Sequence, residues 1–167
     1  MKKLFAFFAI AAFAGALTFT SCGGGGNDQQ QTSDTVNVKK DTVAENPYKD
    51  LPADIQAMMP RGKELYDTKC FACHQKDGKG LPKTFPPLAN SDYLLADKVR
   101  AVAQTLNGSH MDMVVNGEHY NQQMVPQVTT KEDAVAIINY VLNNFGNKGG
   151  VITLDEVKDV KIKPAGK

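Results

Sequence analysis

The chain has 167 residues, 42% of them apolar and 22% charged, with a formal net charge of +1. Removing Lys2 and Lys3, which sit in a segment expected to be cleaved, leaves 17 basic against 18 acidic side chains, a net −1. Such a balance offers no basic face for nucleic acid and no strong field that would select a partner by charge.

Residues 1–21 read as a secretory signal. Lys2 and Lys3 form a positive start, Leu4 to Phe19 is apolar apart from Thr18, and Gly15, Ala16 and Ser21 supply small residues near the end. The alternative is an uncleaved anchor, but about 16 apolar residues fall short of the ~20 that span a bilayer. Phe19-Thr20-Ser21-Cys22-Gly23 resembles a bacterial lipoprotein box, in which the cysteine becomes the lipidated first residue of the mature chain. Phe19 stands where Leu is usual. A lone cysteine beside an ordinary cleavage site is the other reading. The resemblance implies an exported protein held by a lipid at Cys22 on the periplasmic side of the inner or outer membrane.

Residues 22–50 form a flexible linker. Four glycines, a Gln run and scattered Thr, Asp and Lys cannot bury enough apolar surface to order themselves. The folded domain is expected over 51–148. Pro60 fits the first turn of a helix running through Leu65, Tyr66 and Cys70. Residues 76–90, rich in Gly and Pro, form a loop. Ser91 can cap a short helix, and a second helix spans about Asp97 to Leu106, ending at Asn107-Gly108.

Residues 108–128 look irregular. A last helix then starts with Thr129 and Glu132 as a capping box, carries Ala134, Ile137, Ile138, Val141 and Phe145 on one face, and stops at Gly146. In the tail, 149–167, Thr153 and Glu156 can cap another turn or two. No stretch alternates well enough to be a strand, so the expected fold is all-α with long loops.

Cys70-Phe71-Ala72-Cys73-His74 is the C-x-x-C-H pattern for attaching haem c. On a helical turn the two thiols project to one side. There they can add to the two vinyl groups on one porphyrin edge, and His74 can then give an imidazole nitrogen to the iron. A thioredoxin-like dithiol would need a βαβ context, and structural zinc would need a further pair of ligands that His110 and His119 do not supply.

With this motif in place, the chain from about Pro60 to Phe145 resembles class I, single-haem cytochromes c. Gly62 and Tyr66 precede Cys70 by eight and four residues, as in that family's N-terminal helix. The resemblance implies that Gly62 lets an aromatic residue of the last helix, Tyr140, pack close. It also implies that Pro86, in Phe85-Pro86-Pro87-Leu88, offers its backbone carbonyl to the second ring nitrogen of His74.

Tyr120-Asn121-Gln122-Gln123-Met124-Val125-Pro126 resembles a Tyr-Asn-x-x-Met-Pro-Pro stretch of one branch, where that Met is the sixth iron ligand; Val125 replaces the first proline. Met124 is therefore the expected ligand. Met111, Met113, His110 and His119 are the other candidates.

Asn144 to Gly150, with Thr153 and Glu156-Val157, resembles the end of cytochrome c domains found with copper-containing nitrite reductases and related respiratory enzymes. The resemblance implies an electron carrier, not an enzyme, that carries one covalent haem c with His74 and Met124 on the iron. It implies redox partners such as a copper nitrite reductase or a cytochrome oxidase. The competing class is a haem sensor or small catalytic haem protein with an open sixth site.

Overall fold

The computed structural model describes residues 46–164. The signal segment, Cys22 and most of the linker lie outside the described residues. Among the described residues five α-helices occur in chain order: α1 (Ala53–Leu65), α2 (Phe71–His74), α3 (Asp92–Ala96), α4 (Lys98–Asn107) and α5 (Lys131–Leu142). Between α4 and α5 lies an antiparallel pair, β1 (Met113–Val115) and β2 (Glu118–Tyr120). No described helix is long and apolar enough to cross a membrane.

α1 begins seven residues before Pro60. Ile55 and Met59, each 1% exposed, fasten the first turns into the core. Pro60 then sits inside the helix with its ring exposed, so packing outweighs the one backbone bond that proline removes. α1 crosses α5 at Gly62. A Cβ there would lie 2.2 Å from the carbonyl oxygen of Ala136 and 2.8 Å from Cβ of Tyr140, so only glycine allows the two backbones to approach. Tyr66, Tyr140 and Phe145 close the end of this interface, with ring centroids 5.0–5.8 Å apart.

α5 is buried on every side from Ala134 to Leu142, not along a single stripe. Its N-cap is Thr130, whose hydroxyl accepts from the Asp133 N–H, one residue after the expected Thr129. Asp133 does not close a capping box; its carboxylate accepts from Arg61 on α1. The helix also ends earlier than Gly146. Side-chain amides of Asn143, Asn144 and Asn147 donate to the carbonyls of Asn139, Tyr140 and Val141, and so satisfy the last turn.

After Gly149 the chain folds back on the domain. Ile152 and Val157 are fully buried. The wholly buried Asn139 side chain donates to the Ile152 carbonyl at 2.8 Å and accepts from the Ile152 N–H at 3.0 Å. Thr153 and Glu156 form the reciprocal cap expected of them. Asn107 binds the backbone of Lys161 and Lys163, which extends the attachment to α4.

The hairpin corrects the expectation of no strand. Asn116 and Gly117 both have left-handed backbones (φ 50° and 84°), and form the two-residue turn that matches strand twist. Asp92 at the start of α3 holds the turn by exchanging two bonds with Asn116, at 2.8 and 3.0 Å.

Candidate functional site: an apolar cleft behind the C-x-x-C-H turn

The segment leading to the cysteines departs from a regular helix. Over Tyr66–Cys70 the chain widens into a π-helical turn, with the Phe71 N–H donating to the Tyr66 carbonyl. Thr68 assists by bonding back to the Glu64 and Leu65 carbonyls. Such widened turns re-aim the side chains that follow and concentrate at functional sites. α2 then holds the C-x-x-C-H residues from Phe71 on, and Gln75 (φ 64°) ends it. The Tyr66 hydroxyl secures that ending by donating to the Gln75 carbonyl at 2.7 Å.

Cys70 and Cys73 are free thiols, and both line an apolar cleft together with His74. Ile137, Ile138 and Val141 of α5 form its floor, and Leu94 and Ala101 line it from α3 and α4. Burial, reinforced by the neighbouring Cys73, pushes the Cys70 thiol up to about 12. That apolar environment suits a neutral thioether. Among the described residues there is also no βαβ unit of the kind that carries a redox dithiol.

His74 is 9% exposed, and burial holds its imidazole below the ordinary histidine range, opposed by its bond to Pro86. Its Nδ1 lies 2.9 Å from the Pro86 carbonyl oxygen. A carbonyl only accepts, so the proton sits on Nδ1 and Nε2 keeps a lone pair free for a metal. The loop that delivers Pro86 is tied down at both ends. Gly80 donates to the His74 carbonyl at 2.9 Å, and Leu88 and Ala89 both donate to the Gly78 carbonyl. Asn147 donates to the Leu88 carbonyl and accepts from the Asn90 N–H, which fixes this loop to the end of α5.

Across the chain, Met124 lines the same cleft. Its backbone exchanges two bonds with Ser109, at 2.8 and 2.9 Å, and Gln127 donates to the Thr105 carbonyl. The methionine segment is thus pinned to the end of α4. Met113, on β1, also lines the cleft, whereas Met111 is 59% exposed and does not. Neither His110 nor His119 lines it; His119 instead faces Asp112 on the hairpin, 3.4 Å away.

Sequence reasoning did not single out Tyr93, Arg100 and Gln104, which form a polar corner of the cleft. No motif marks them, because their relation to the cysteines exists only after folding.

An apolar slot with two thiols and a lone-pair imidazole at one edge fits a flat, largely apolar, covalently attached macrocycle, and defines the class of small helical haem c proteins. Residues 59–145 match the cytochrome c family. The chain is 30% identical over 112 residues to cytochrome c-552 of Thermus thermophilus, covering 61% of this chain and 85% of that protein. It is also 30% identical over 109 residues to the fructose dehydrogenase cytochrome subunit of Gluconobacter japonicus, covering 60% of this chain but 22% of that subunit. This chain belongs to the cytochrome c family, whose members transfer electrons through haem c bound covalently at such a C-x-x-C-H turn.

Proposed function

We propose that this chain is a dedicated electron carrier whose haem iron is held by His74 and Met124, exported and anchored to a membrane through a lipid on Cys22. The observation that carries the ligand assignment is the shared cleft. His74 and the backbone-pinned Met124 both line it, and both are fixed by bonds to main-chain atoms rather than by mobile surface contacts.

When bound, haem c supplies a one-electron couple. The protein residues do the rest. Pro86 holds the His74 ring in one orientation and strengthens it as a ligand. Met124 adds a thioether, which favours the reduced state relative to a second imidazole. Cys70 and Cys73 fix one edge of the group, and the α5 floor excludes water from it. With His74 and Met124 on the iron, no place would remain for substrate, which favours a carrier over a sensor or catalyst.

The implied partners are periplasmic respiratory enzymes. The C-terminal resemblance favours a copper nitrite reductase. A terminal oxidase is a second acceptor of the same kind. The likeness to a fructose dehydrogenase cytochrome subunit adds a dehydrogenase as a donor. Contacts with them are expected to be small and short-lived.

The ligand assignment is tested by comparing Met124→Ala with Met113→Ala. The wild-type oxidised protein should show the weak far-red band of sulfur–iron ligation. Met124→Ala should abolish it and Met113→Ala should keep it. The reverse pattern would move the ligand to Met113.

A further inference from the structure

The tail after Gly149 has no task in the site described so far, although directed bonds hold it along its length. It lies beyond the residues that match the cytochrome c family. Its two ends are gripped by the same device, an asparagine amide that takes both a backbone N–H and a backbone carbonyl. Asn139 grips Ile152 at the near end. Asn107 grips the far end. Its Nδ2 donates to the Lys161 carbonyl at 2.9 Å, and its Oδ1 accepts from the Lys163 N–H at 2.7 Å. Between these grips Val157 is fully buried, and Lys131 donates to the Lys158 carbonyl.

Asn107 is the last residue of α4, and the two residues after it hold the methionine segment. Gly108 lies flat against that segment, so that a Cβ there would sit 2.4 Å from the Met124 carbonyl oxygen. Ser109 exchanges two main-chain bonds with Met124. Among the described residues, the main-chain bonds that tie residues 121–127 to the rest of the domain end on Ser109 and Thr105, both at this end of α4. Burial adds little beside them, because Gln123 and Val125, on either side of Met124, are exposed. The methionine is therefore held only as well as the last turn of α4. Helix ends fray, because their last carbonyls have no partner within the helix. A grip on Asn107 opposes fraying at the point where it would loosen Met124.

We propose that the tail is a brace for the sixth ligand, and that Asn107 is a positioning residue that keeps the Met124 segment closed over the iron. This rests on the His74–Met124 reading of the cleft. An iron with both axial sites filled admits a new ligand only after the thioether leaves, so entry scales with the open population. Releasing the tail from Asn107 raises that population, and docking it lowers it.

The test uses the full chain carrying its haem, with Asn107→Ala and, as a control that loosens the fold elsewhere, Thr130→Ala at the α5 cap. One readout is the rate at which imidazole at low concentration binds the oxidised protein. The other is hydrogen exchange at the Met124 N–H, which needs no added ligand. Asn107→Ala should speed both roughly tenfold, the scale of one or two lost hydrogen bonds, and keep the sulfur–iron band. Thr130→Ala should leave both near wild type. Equal acceleration in the two variants would overturn the proposal, since general loss of stability would then account for it. Wild-type rates in a haem-loaded Asn107→Ala protein would also overturn it, while the ligand reading would stand. A wild-type protein without the sulfur–iron band would overturn the ligand reading and the brace with it.

The wild-type protein gives a second test that needs no variant to fold. Lys163 is exposed and lies close to the end of the described residues. Its N–H should nevertheless resist solvent exchange. Exchange at the rate of an open chain would overturn the brace.

Discussion

The α1–α5 wall and the loop wall opposite it are held by different forces. The first is apolar and regular: Ile55, Met59, Val135 and Leu142 are at most 1% exposed, and two helix backbones touch at Gly62. The second has little regular structure. The loops over 76–90 and 108–128 are kept in place by main-chain bonds such as Ser109–Met124 and by the amide of Asn147. Burial holds the scaffold, because apolar contact is strong but undirected. Directed bonds hold His74 and Met124, the proposed ligands, because coordination would tolerate little misplacement. Chemistry therefore sits on the irregular wall and stability on the regular one.

His74→Ala should break the chemical wall most completely. The low-spin spectrum should be lost, because no other described histidine lines the cleft. A retained low-spin spectrum in the visible region would show that the ligand loop rearranges more freely than its hydrogen bonds allow.

Gly62→Ala should damage the scaffold wall with little direct effect on the ligands. Overpacking at this crossing should destabilise by about 3 kcal/mol, seen in denaturant unfolding, because the obstructing atoms are backbone. An unchanged midpoint would mean that the helices slide apart at no cost.

Asn139→Ala tests whether the tail belongs to the scaffold. Leaving both polar groups of Ile152 unpaired should cost about 2 kcal/mol and increase hydrogen exchange over residues 151–160. Stability lost without that local exchange would place the effect in α5 alone.

The smallest expected change comes from the cap. Thr130→Ala should cost about 1 kcal/mol in the same unfolding measurement, and Thr129→Ala close to nothing. Equal effects would contradict the one-residue shift in the helix start.

Much of the scaffold was legible in the sequence because it depends on local pattern. The presence of a helix at α5, the Ser91 and Thr153–Glu156 caps and the end of α4 at Gly108 all follow from neighbours in sequence. The Cys70–His74 turn was legible for the same reason. Besides the one-residue shift of the α5 cap and the all-round burial of that helix, three further features were not read correctly. Pro60 outweighed Ile55 and Met59 as a start signal, although burial of those two residues decides where α1 begins. The Asn116-Gly117 pair is a strong hairpin signal, but its flanking strands are too short to show alternation. The end of α5 depends on amide bonds from residues beyond it, which a search for a terminating glycine misses.

The site divides the same way. The thiols and His74 announce themselves by spacing, and Met124 stands out through its family resemblance. Arg100 is one of two arginines in an unremarkable helix. Its stacking on Tyr93 arises only when α3 and α4 close over the cleft.

If His74 and Met124 fill both axial positions, as proposed, the protein is a carrier with no site open to a small ligand. Adding carbon monoxide to the reduced, haem-loaded protein at neutral pH tests this directly. The account predicts a visible spectrum unchanged by the gas. A prompt shift to a carbon monoxide adduct would contradict it, and would establish an open or easily opened sixth site suited to sensing or catalysis.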